Sequence, residues 1–269
     1  MSARSPRVKA ARQLAKRAFR ERGRAFLAEG PQAVREALAK PGVLTELFVS
    51  APGRSRHPEL ADQAARQGIA VHEVSGEVMS ELAQTITPQG LLGVCTFVDV
   101  PLESLLAGRP RLVTMLANVR DPGNAGTVLR SADAAGADGV VFAAASVDPY
   151  NSKCVRSSAG SLFHLPVVAG APLEATIMAL RSAGLQVLAA DGSASHFLDS
   201  GEGGPDLGRP TAWLFGNEAW GLPDSLLRLA DDVVAVPIYG KAESLNLAAA
   251  AAVCLYASAR ALRATGVQR

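Results

Sequence analysis

Three polar loops of this sequence carry side chains able to hold and orient a ligand. The last of them is Val236-Pro237-Ile238-Tyr239-Gly240-Lys241-Ala242-Glu243-Ser244-Leu245-Asn246-Leu247, which leads into the alanine run 248–252. A short apolar strand meets a proline, crosses a small polar loop and reaches a helix that opens with the Ser244 hydroxyl and the Asn246 amide. The first is Asn118-Val119-Arg120-Asp121-Pro122-Gly123-Asn124-Ala125-Gly126-Thr127-Val128-Leu129-Arg130, where a Pro-Gly turn starts a helix that carries Asn124 and Arg130. The second is Leu214-Phe215-Gly216-Asn217-Glu218-Ala219-Trp220-Gly221-Leu222-Pro223. By residue chemistry alone, Asn124 and Ser244 are helix caps, Arg130 is a surface charge and Glu218 an exposed turn acid. A guanidinium resists deprotonation, so Arg130 is suited to gripping an oxyanion rather than to taking a proton. Gly216, Gly221 and Gly240 let backbone approach a ligand where a Cβ would obstruct it.

Other chemistries find little support. Cys95, Cys154 and Cys254 are scattered without paired spacing and the four histidines stand alone, so no metal site is expected. Cys95 and Cys254 lie in apolar runs and read as small core residues. Gly123 and Gly126 do not supply the G-x-G-x-x-G phosphate-binding fingerprint. The apolar run from Leu247 to Leu255 is too short to span a bilayer and continues into Tyr256, Ser258 and Arg260, as a packed amphipathic helix does. No apolar signal core follows the arginine-rich start. The expected location is the cytoplasm.

The elements that must position these loops alternate. Helical patterns at Gln32–Lys40 and Pro58–Gln67 fall among strand-like runs at Val43–Val49, Val71–Val74 and Leu92–Val98, giving a small α/β unit. The stretch Val100–Pro110, with two prolines and a Gly-Arg-Pro turn, reads as a linker. Beyond it, apolar runs of strand length occur at Leu112–Ala117, Gly139–Phe142, Leu185–Ala190, Ala212–Phe215 and Val233–Val236. Helical patterns at Ala125–Ala135, Lys153–Ser161, Leu173–Ser182, Pro223–Ala230 and Leu247–Leu262 lie between and after them. Such alternation implies a mainly parallel sheet covered by helices on both faces. Gly201–Gly208 reads as a mobile surface loop.

In their order and spacing, the three loops resemble the signature motifs of the SpoU/TrmH family of RNA ribose 2′-O-methyltransferases, within the SPOUT superfamily. The resemblance is strong over residues 110–265 and weaker over 20–100, where Phe26-Leu27-Ala28-Glu29-Gly30 resembles the opening of a ribosomal-protein-like RNA-binding domain. It implies four parts: a basic arm at 1–24, an RNA substrate-binding domain at 25–99, a linker at 100–110 and a methyltransferase domain at 111–269. Pattern alone favours an unknotted doubly wound sheet. The resemblance implies instead that the C-terminal segment threads a loop to form a trefoil knot, and that two knotted domains pair as a homodimer.

The resemblance also implies S-adenosylmethionine as cofactor, held by Gly216, Asn217, Val236, Ile238 and Leu245. Catalytic roles carry over to Asn124, Arg130, Glu218, Ser244 and Asn246. In this reading Arg130 binds a neighbouring phosphate and orients or polarises the 2′-hydroxyl, and proton acceptance stays open. Arg120 and Asp121 touch RNA or fix their loop, while Asn151 and Arg156 fall near the RNA-facing side of the pocket. Ribosomal RNA is favoured over transfer RNA because a separate N-terminal domain is commoner among members that modify it. The alternatives are a transfer-RNA enzyme, a non-catalytic RNA-binding or ribosome-assembly protein of the same fold, and a Rossmann-type enzyme acting on a small molecule.

The net charge of +2 hides an asymmetry. Arg4, Arg7, Lys9, Arg12, Lys16, Arg17, Arg20, Arg22 and Arg24 face only Glu21 within residues 1–24, so that segment is +8 and the remainder about −6. A cationic segment on an acidic body attracts a polyanion in a salt-dependent way. Arg4, Arg7, Lys9, Arg12, Lys16 and Arg17, with Arg120 and Arg156, are therefore the expected RNA contacts. The plainer reading of the segment is a solvated tail or an exposed helix end.

Overall fold

The structure, a computed structural model, describes residues 2–83, 85–200 and 204–264. In chain order it begins with α1 (Pro6–Gln13), α2 (Arg17–Gly23), β1 (Ala25–Glu29), α3 (Pro31–Ala39), β2 (Leu44–Ser50), α4 (Ala51–Arg56), α5 (Pro58–Arg66), β3 (Ala70–Val74), α6 (Gly76–Leu82) and β4 (Leu91–Thr96). It continues with α7 (Leu102–Ala107), β5 (Leu112–Leu116), α8 (Pro122–Ala135), β6 (Gly139–Ala143), α9 (Ser152–Ser157), β7 (Val167–Ala171), α10 (Leu173–Ser182) and β8 (Gln186–Ala190). The last elements are β9 (His196–Phe197), β10 (Thr211–Phe215), α11 (Asp224–Leu227), β11 (Asp232–Ala235) and α12 (Leu247–Ala264). Two compact units result: one runs up to Val98 and also takes Tyr150–Phe163, the other holds Asp99–Pro149 and the chain from His164 onward.

The N-terminal unit is built on a four-stranded sheet of order β1-β4-β2-β3, with β4 antiparallel to β1 and β2, and β3 parallel to β2. Its first helix, within the basic segment 1–24, is packed into the unit. Val8 and Ala11 of α1 are buried in one cluster with Phe48, Val78, Met79 and Leu82, because α1 carries an apolar residue once per turn on an otherwise basic surface. Arg20 is buried too, donating to the carbonyls of Leu14 and Ala15 at 2.9 Å each. The return of Tyr150–Phe163 to this unit was not anticipated. The Tyr150 ring stacks on Phe97 with centroids 3.8 Å apart, its hydroxyl accepts from the Val98 backbone N–H at 2.8 Å, and Phe163 lies against Phe26. Aromatic pairs of this kind add to the area they bury.

The C-terminal unit contains a seven-stranded parallel sheet of order β7-β6-β5-β10-β8-β11-β9. Side chains alternate across it. Val113, Met115, Val187, Ala189, Ala212 and Leu214 face a core shared with Leu105, Ile177, Leu180 and Leu226, so α7, α10 and α11 cover that face. Trp213 points the other way, its indole N–H donating to Ser258 of α12 at 2.9 Å, and α12 also packs on α8. The expected linker is thus partly core: Leu102, Leu105 and Leu106 recur at helical spacing, and Leu105 is buried. Of the Gly201–Gly208 loop, residues 201–203 lie outside the described residues.

By length and apolar composition α12 resembles a membrane span, yet Ala248, Ala251, Cys254, Leu255, Ser258, Ala259 and Leu262 form a buried stripe along it. Burial pushes the Cys254 thiol up to about 12, and Cys95 higher still, as expected of core thiols rather than reactive ones.

Trp213 and Ser258 are both fully buried. Ser258→Ala leaves the indole N–H without its acceptor and should lower the unfolding free energy by about 1–3 kcal/mol. Denaturant unfolding monitored by far-UV circular dichroism checks this, with Trp213→Phe in the Ser258→Ala background expected to add less than Trp213→Phe does alone.

Candidate functional site

The carboxyl ends of β8, β10 and β11 open into a cleft of about 480 Å³. Parallel sheets place ligands at this edge, where strands end and loops diverge. Gly216, Asn217, Val236, Ile238 and Leu245 all line it, as do Glu218 and Ser244. The sequence reading had missed Asp191, Gly192 and Phe197, which also line the cleft. A signal existed for the first two, since Ala190-Asp191-Gly192 ends a strand with a carboxylate and a turn; Phe197 sits on a two-residue strand too short to show a pattern.

Each loop is shaped by its own sequence. Asn217 and Gly221 exchange backbone hydrogen bonds at 2.9 and 3.0 Å, closing a tight turn, and Gly221 sits at φ +67°. A Cβ on Gly216 would come within 2.4 Å of the Gly221 carbonyl carbon, so the glycine here serves the close approach of two backbone segments. The Asn217 side chain accepts from Ala219 N–H at 2.8 Å and donates to the Asn118 carbonyl at 2.8 Å. Asn118 itself takes the left-handed conformation, φ +57°, that asparagine tolerates. Asp121, rather than Asn124, caps α8 by accepting from the Asn124 N–H at 2.8 Å, with Pro122 in the first turn.

The loops are joined through Glu218. Its carboxylate accepts from the backbone N–H groups of Arg120 at 3.2 Å and Asp121 at 3.1 Å, and from the Asn124 amide at 3.2 Å. The Asn124 carbonyl oxygen in turn accepts from the Asn246 amide at 3.0 Å. Asn246 also takes the capping role expected of Ser244: α12 begins only at Leu247, and Asn246 Oδ1 accepts from Ala248 N–H at 2.9 Å. Ser244, two residues earlier, is exposed at the cleft wall and has no partner among the described residues.

Arg130 and Arg120 are exposed, and neither guanidinium is engaged in a hydrogen bond or ion pair among the described residues. Arg156 is placed elsewhere, in the N-terminal unit, where it pairs with Glu29 at 3.0 Å. Asn151 caps α9 by accepting from Lys153 N–H at 2.9 Å. The six basic residues expected of the first segment are all exposed on α1, α2 or beside them. Arg7, Arg12 and Arg17 pair with Glu46, Glu81 and Glu21 at 3.2, 3.2 and 2.7 Å.

Partial burial alone would raise the Glu218 carboxyl, but hydrogen bonds from its own backbone, from Asn124 and from the Arg120 and Asp121 N–H groups outweigh it and hold the group below the usual glutamate value. A depressed folded-state value means that its contribution is present above the ordinary glutamate range and lost as pH falls through the lowered value. Acidification should therefore release the 120–124 turn. Trp220, 61 % exposed and two residues along, reports it: its emission should shift with a midpoint below the ordinary glutamate range, and Glu218→Gln should remove that transition.

Residues 111–256 match the model of the SpoU rRNA methylase family, and residues 5–93 match that of the MRM3-like substrate binding domain. The chain is 36 % identical over 257 residues to the 23S rRNA (guanosine(2553)-2′-O)-methyltransferase RlmP of Bacillus subtilis, covering 95 % of this chain and 96 % of that one. It is 30 % identical over 225 residues to the 23S rRNA (guanosine-2′-O-)-methyltransferase RlmB of Bordetella pertussis, covering 82 % and 90 %. Among solved structures, the AdoMet-bound rRNA methyltransferase of Sinorhizobium meliloti superposes with a TM-score of 0.84 at 32 % identity, over 97 % of each chain. With motif loops, parallel sheet and accompanying N-terminal unit all in agreement, the chain belongs to the SpoU rRNA methylase family.

Proposed function

We propose that this protein transfers the methyl group of S-adenosylmethionine to a ribose 2′-hydroxyl of ribosomal RNA. The observation that carries the reading is the Glu218–Asn124–Asn246 relay, which ties three loops together beside a cleft at the carboxyl edge of the sheet. Its relatives of known activity, RlmP and RlmB, act on 23S rRNA at the 2′-oxygen, and a solved relative binds AdoMet.

The cleft suits that cofactor chemically. At about 480 Å³ it lies within the roughly 300–1,000 Å³ usual for small-molecule sites. Phe197, Ile238 and Leu245 offer apolar surface for a base, the backbone around Gly216 and Val236 can pair with its edge, and the Asp191 and Glu243 carboxylates suit hydroxyl and ammonium groups. Gly216, Asn217, Val236, Ile238 and Leu245 would hold the cofactor, which when bound supplies an electrophilic methyl carbon on a sulfonium sulfur.

The protein's part is mainly positioning. Arg130, exposed and unpaired among the described residues, offers a planar fork to a backbone phosphate and orients the neighbouring 2′-hydroxyl. Glu218 is ionised at neutral pH and its oxygens are engaged by three donors, so it acts as a positioning residue that holds the Arg120–Asn124 turn. Asn124 and Asn246 pass that constraint to the start of α12. Ser244 places a hydroxyl at the cleft wall.

The same reading includes a cytoplasmic homodimer with a trefoil knot in the C-terminal unit. The knot is supported by the insertion of β10 between the earlier strands β5 and β8 and by the packing of α12 back onto α8, and the pairing by Val253 and Tyr256, 43 % and 51 % exposed, on the outer side of α12. The basic surface of α1 and α2 adds nonspecific RNA affinity, because exposed ion pairs such as Arg12–Glu81 are worth little and exchange readily for phosphate.

Isothermal calorimetry should detect S-adenosylmethionine or S-adenosylhomocysteine binding, and its absence for both would remove the cofactor assignment. Arg130→Ala should retain that heat and reduce single-turnover methyl transfer to ribosomal RNA by about 10²-fold or more, with Arg130→Lys recovering little. Near-normal transfer by Arg130→Ala would take Arg130 out of the mechanism.

Deleting residues 1–24 would expose the core that α1 covers, so charge removal is the cleaner trial of the basic surface. Arg4→Gln, Lys9→Gln and Lys16→Gln together should make the dependence of log Kobs on log salt shallower by up to about 2–3, leaving the methylated position unchanged. An unchanged slope would exclude these three side chains from RNA contact.

A further inference from the structure

The N-terminal unit contains a second cavity, of about 240 Å³, lined by Glu29, Thr85, Thr87, Gln89 and Arg156 among others. It is smaller than the roughly 300–1,000 Å³ of a typical small-molecule site, a size suited to one flat ring system. Its lining is mixed, with Ala33, Val155 and Ala159 beside the polar groups, and on its wall is a partly buried ion pair: the Glu29 side chain is 7 % exposed and that of Arg156 28 %, with Nη1 donating to Oε2 at 3.0 Å. Thr85 also donates to the Glu29 carboxylate. Burying such a pair is costly and does little for stability by itself, which points to a purpose for the group it orients.

That group is the Arg156 guanidinium. Fixed by Glu29 through one nitrogen, it keeps its remaining N–H donors in a rigid plane. Facing the same space is Gln89, whose side-chain amide has no partner among the described residues. Gly30, at φ +93°, makes room for it: a Cβ there would lie 3.0 Å from Gln89 Oε1. Ile86, between the lining residues Thr85 and Thr87, is fully exposed at 103 %, an apolar side chain held out to solvent on the loop bordering the cavity. An oriented arginine fork and a side-chain amide on the wall of a small cavity of mixed lining, with apolar surface from Ala33 and Val155, match the way unstacked bases are recognised, by hydrogen bonds to their edges and by apolar contact with their faces.

We propose that this cavity is a base-recognition subsite that takes one unstacked guanine of the RNA substrate. Guanine is the base whose N7 and O6 present two adjacent acceptors to an arginine fork. Arg156 would donate to that edge, and the Gln89 amide would pair with another edge of the ring. The subsite rests on the RNA-modifying reading above and adds to it a means of choosing the substrate in the N-terminal unit, independent of the cofactor cleft.

The test is side-chain NMR of the 15N-labelled full-length protein, titrated with guanosine, adenosine, cytidine and uridine 5′-monophosphates in the presence of saturating S-adenosylmethionine. Guanosine monophosphate should shift the Gln89 amide and the Arg156 Nε–H signals, with an affinity about tenfold or more above that for the other three. Gln89→Ala, which leaves the buried pair intact, and Arg156→Lys, which keeps the charge beside Glu29 but loses the fork, should each weaken the guanosine monophosphate response about tenfold. Absence of shifts at these two residues, equal affinity for all four nucleotides, or an undiminished response in both variants overturns the proposal. Methyl transfer to ribosomal RNA is measured on the same samples: a guanosine monophosphate response without any transfer would sink the methyltransferase reading and leave the subsite standing.

Discussion

A single carboxylate governs the geometry of the loops at the carboxyl edge of the C-terminal sheet. Glu218 gathers two backbone N–H groups and the Asn124 amide, and through Asn124 it reaches Asn246 at the head of α12. Three loops, the first of them 94 and 122 residues from its partners in the other two, are thereby fixed to one another by side-chain hydrogen bonds. A chain of hydrogen bonds containing a charged acceptor is stronger than isolated neutral ones, and the charged member leaves little freedom in where the donors point. The tight Asn217–Gly221 turn adds to this by presenting Glu218 from a backbone that is itself closed by two hydrogen bonds.

The constraint explains why the polar residues proposed for catalysis also hold the loops in place. Asn246 caps a helix and anchors Asn124; Asp121 caps α8 while its own N–H supports Glu218. Capping leaves one end of each side chain or peptide free to serve the site. Arg130 stands apart from the relay, exposed and uncommitted among the described residues, as a group must be if its partner is supplied by the substrate.

The two units distribute their charge differently from what a count suggests. The basic segment folds as helices because α1 has an apolar stripe to bury, and several of its arginines face acids of the same unit. An arm is a poor description of it. The positive surface remains, but it is presented on a fixed frame, and the only basic side chain from later in the chain that joins this unit among those expected to meet RNA is Arg156.

The sequence by itself determined the alternation of strands and helices in both units and the motif loops, because each of these is written in local spacing: apolar runs of strand length, a Pro at the first helical turn, glycine where backbones approach. The five residues expected to hold the cofactor came from the motifs, and the fold brings all five to one cleft. Tertiary structure alone decided which of two plausible groups takes a given role. Asn246 rather than Ser244 caps α12 because Asn246 is the residue adjacent to the first helical turn once the loop is placed. Leu105 is core rather than linker because a helix brings it over the sheet, and α1 is structure rather than tail because Phe48 and Met79 await Val8. The return of Tyr150–Phe163 to the N-terminal unit was invisible beforehand, since it depends on a ring stack between residues 53 positions apart, Phe97 and Tyr150, that no local pattern encodes.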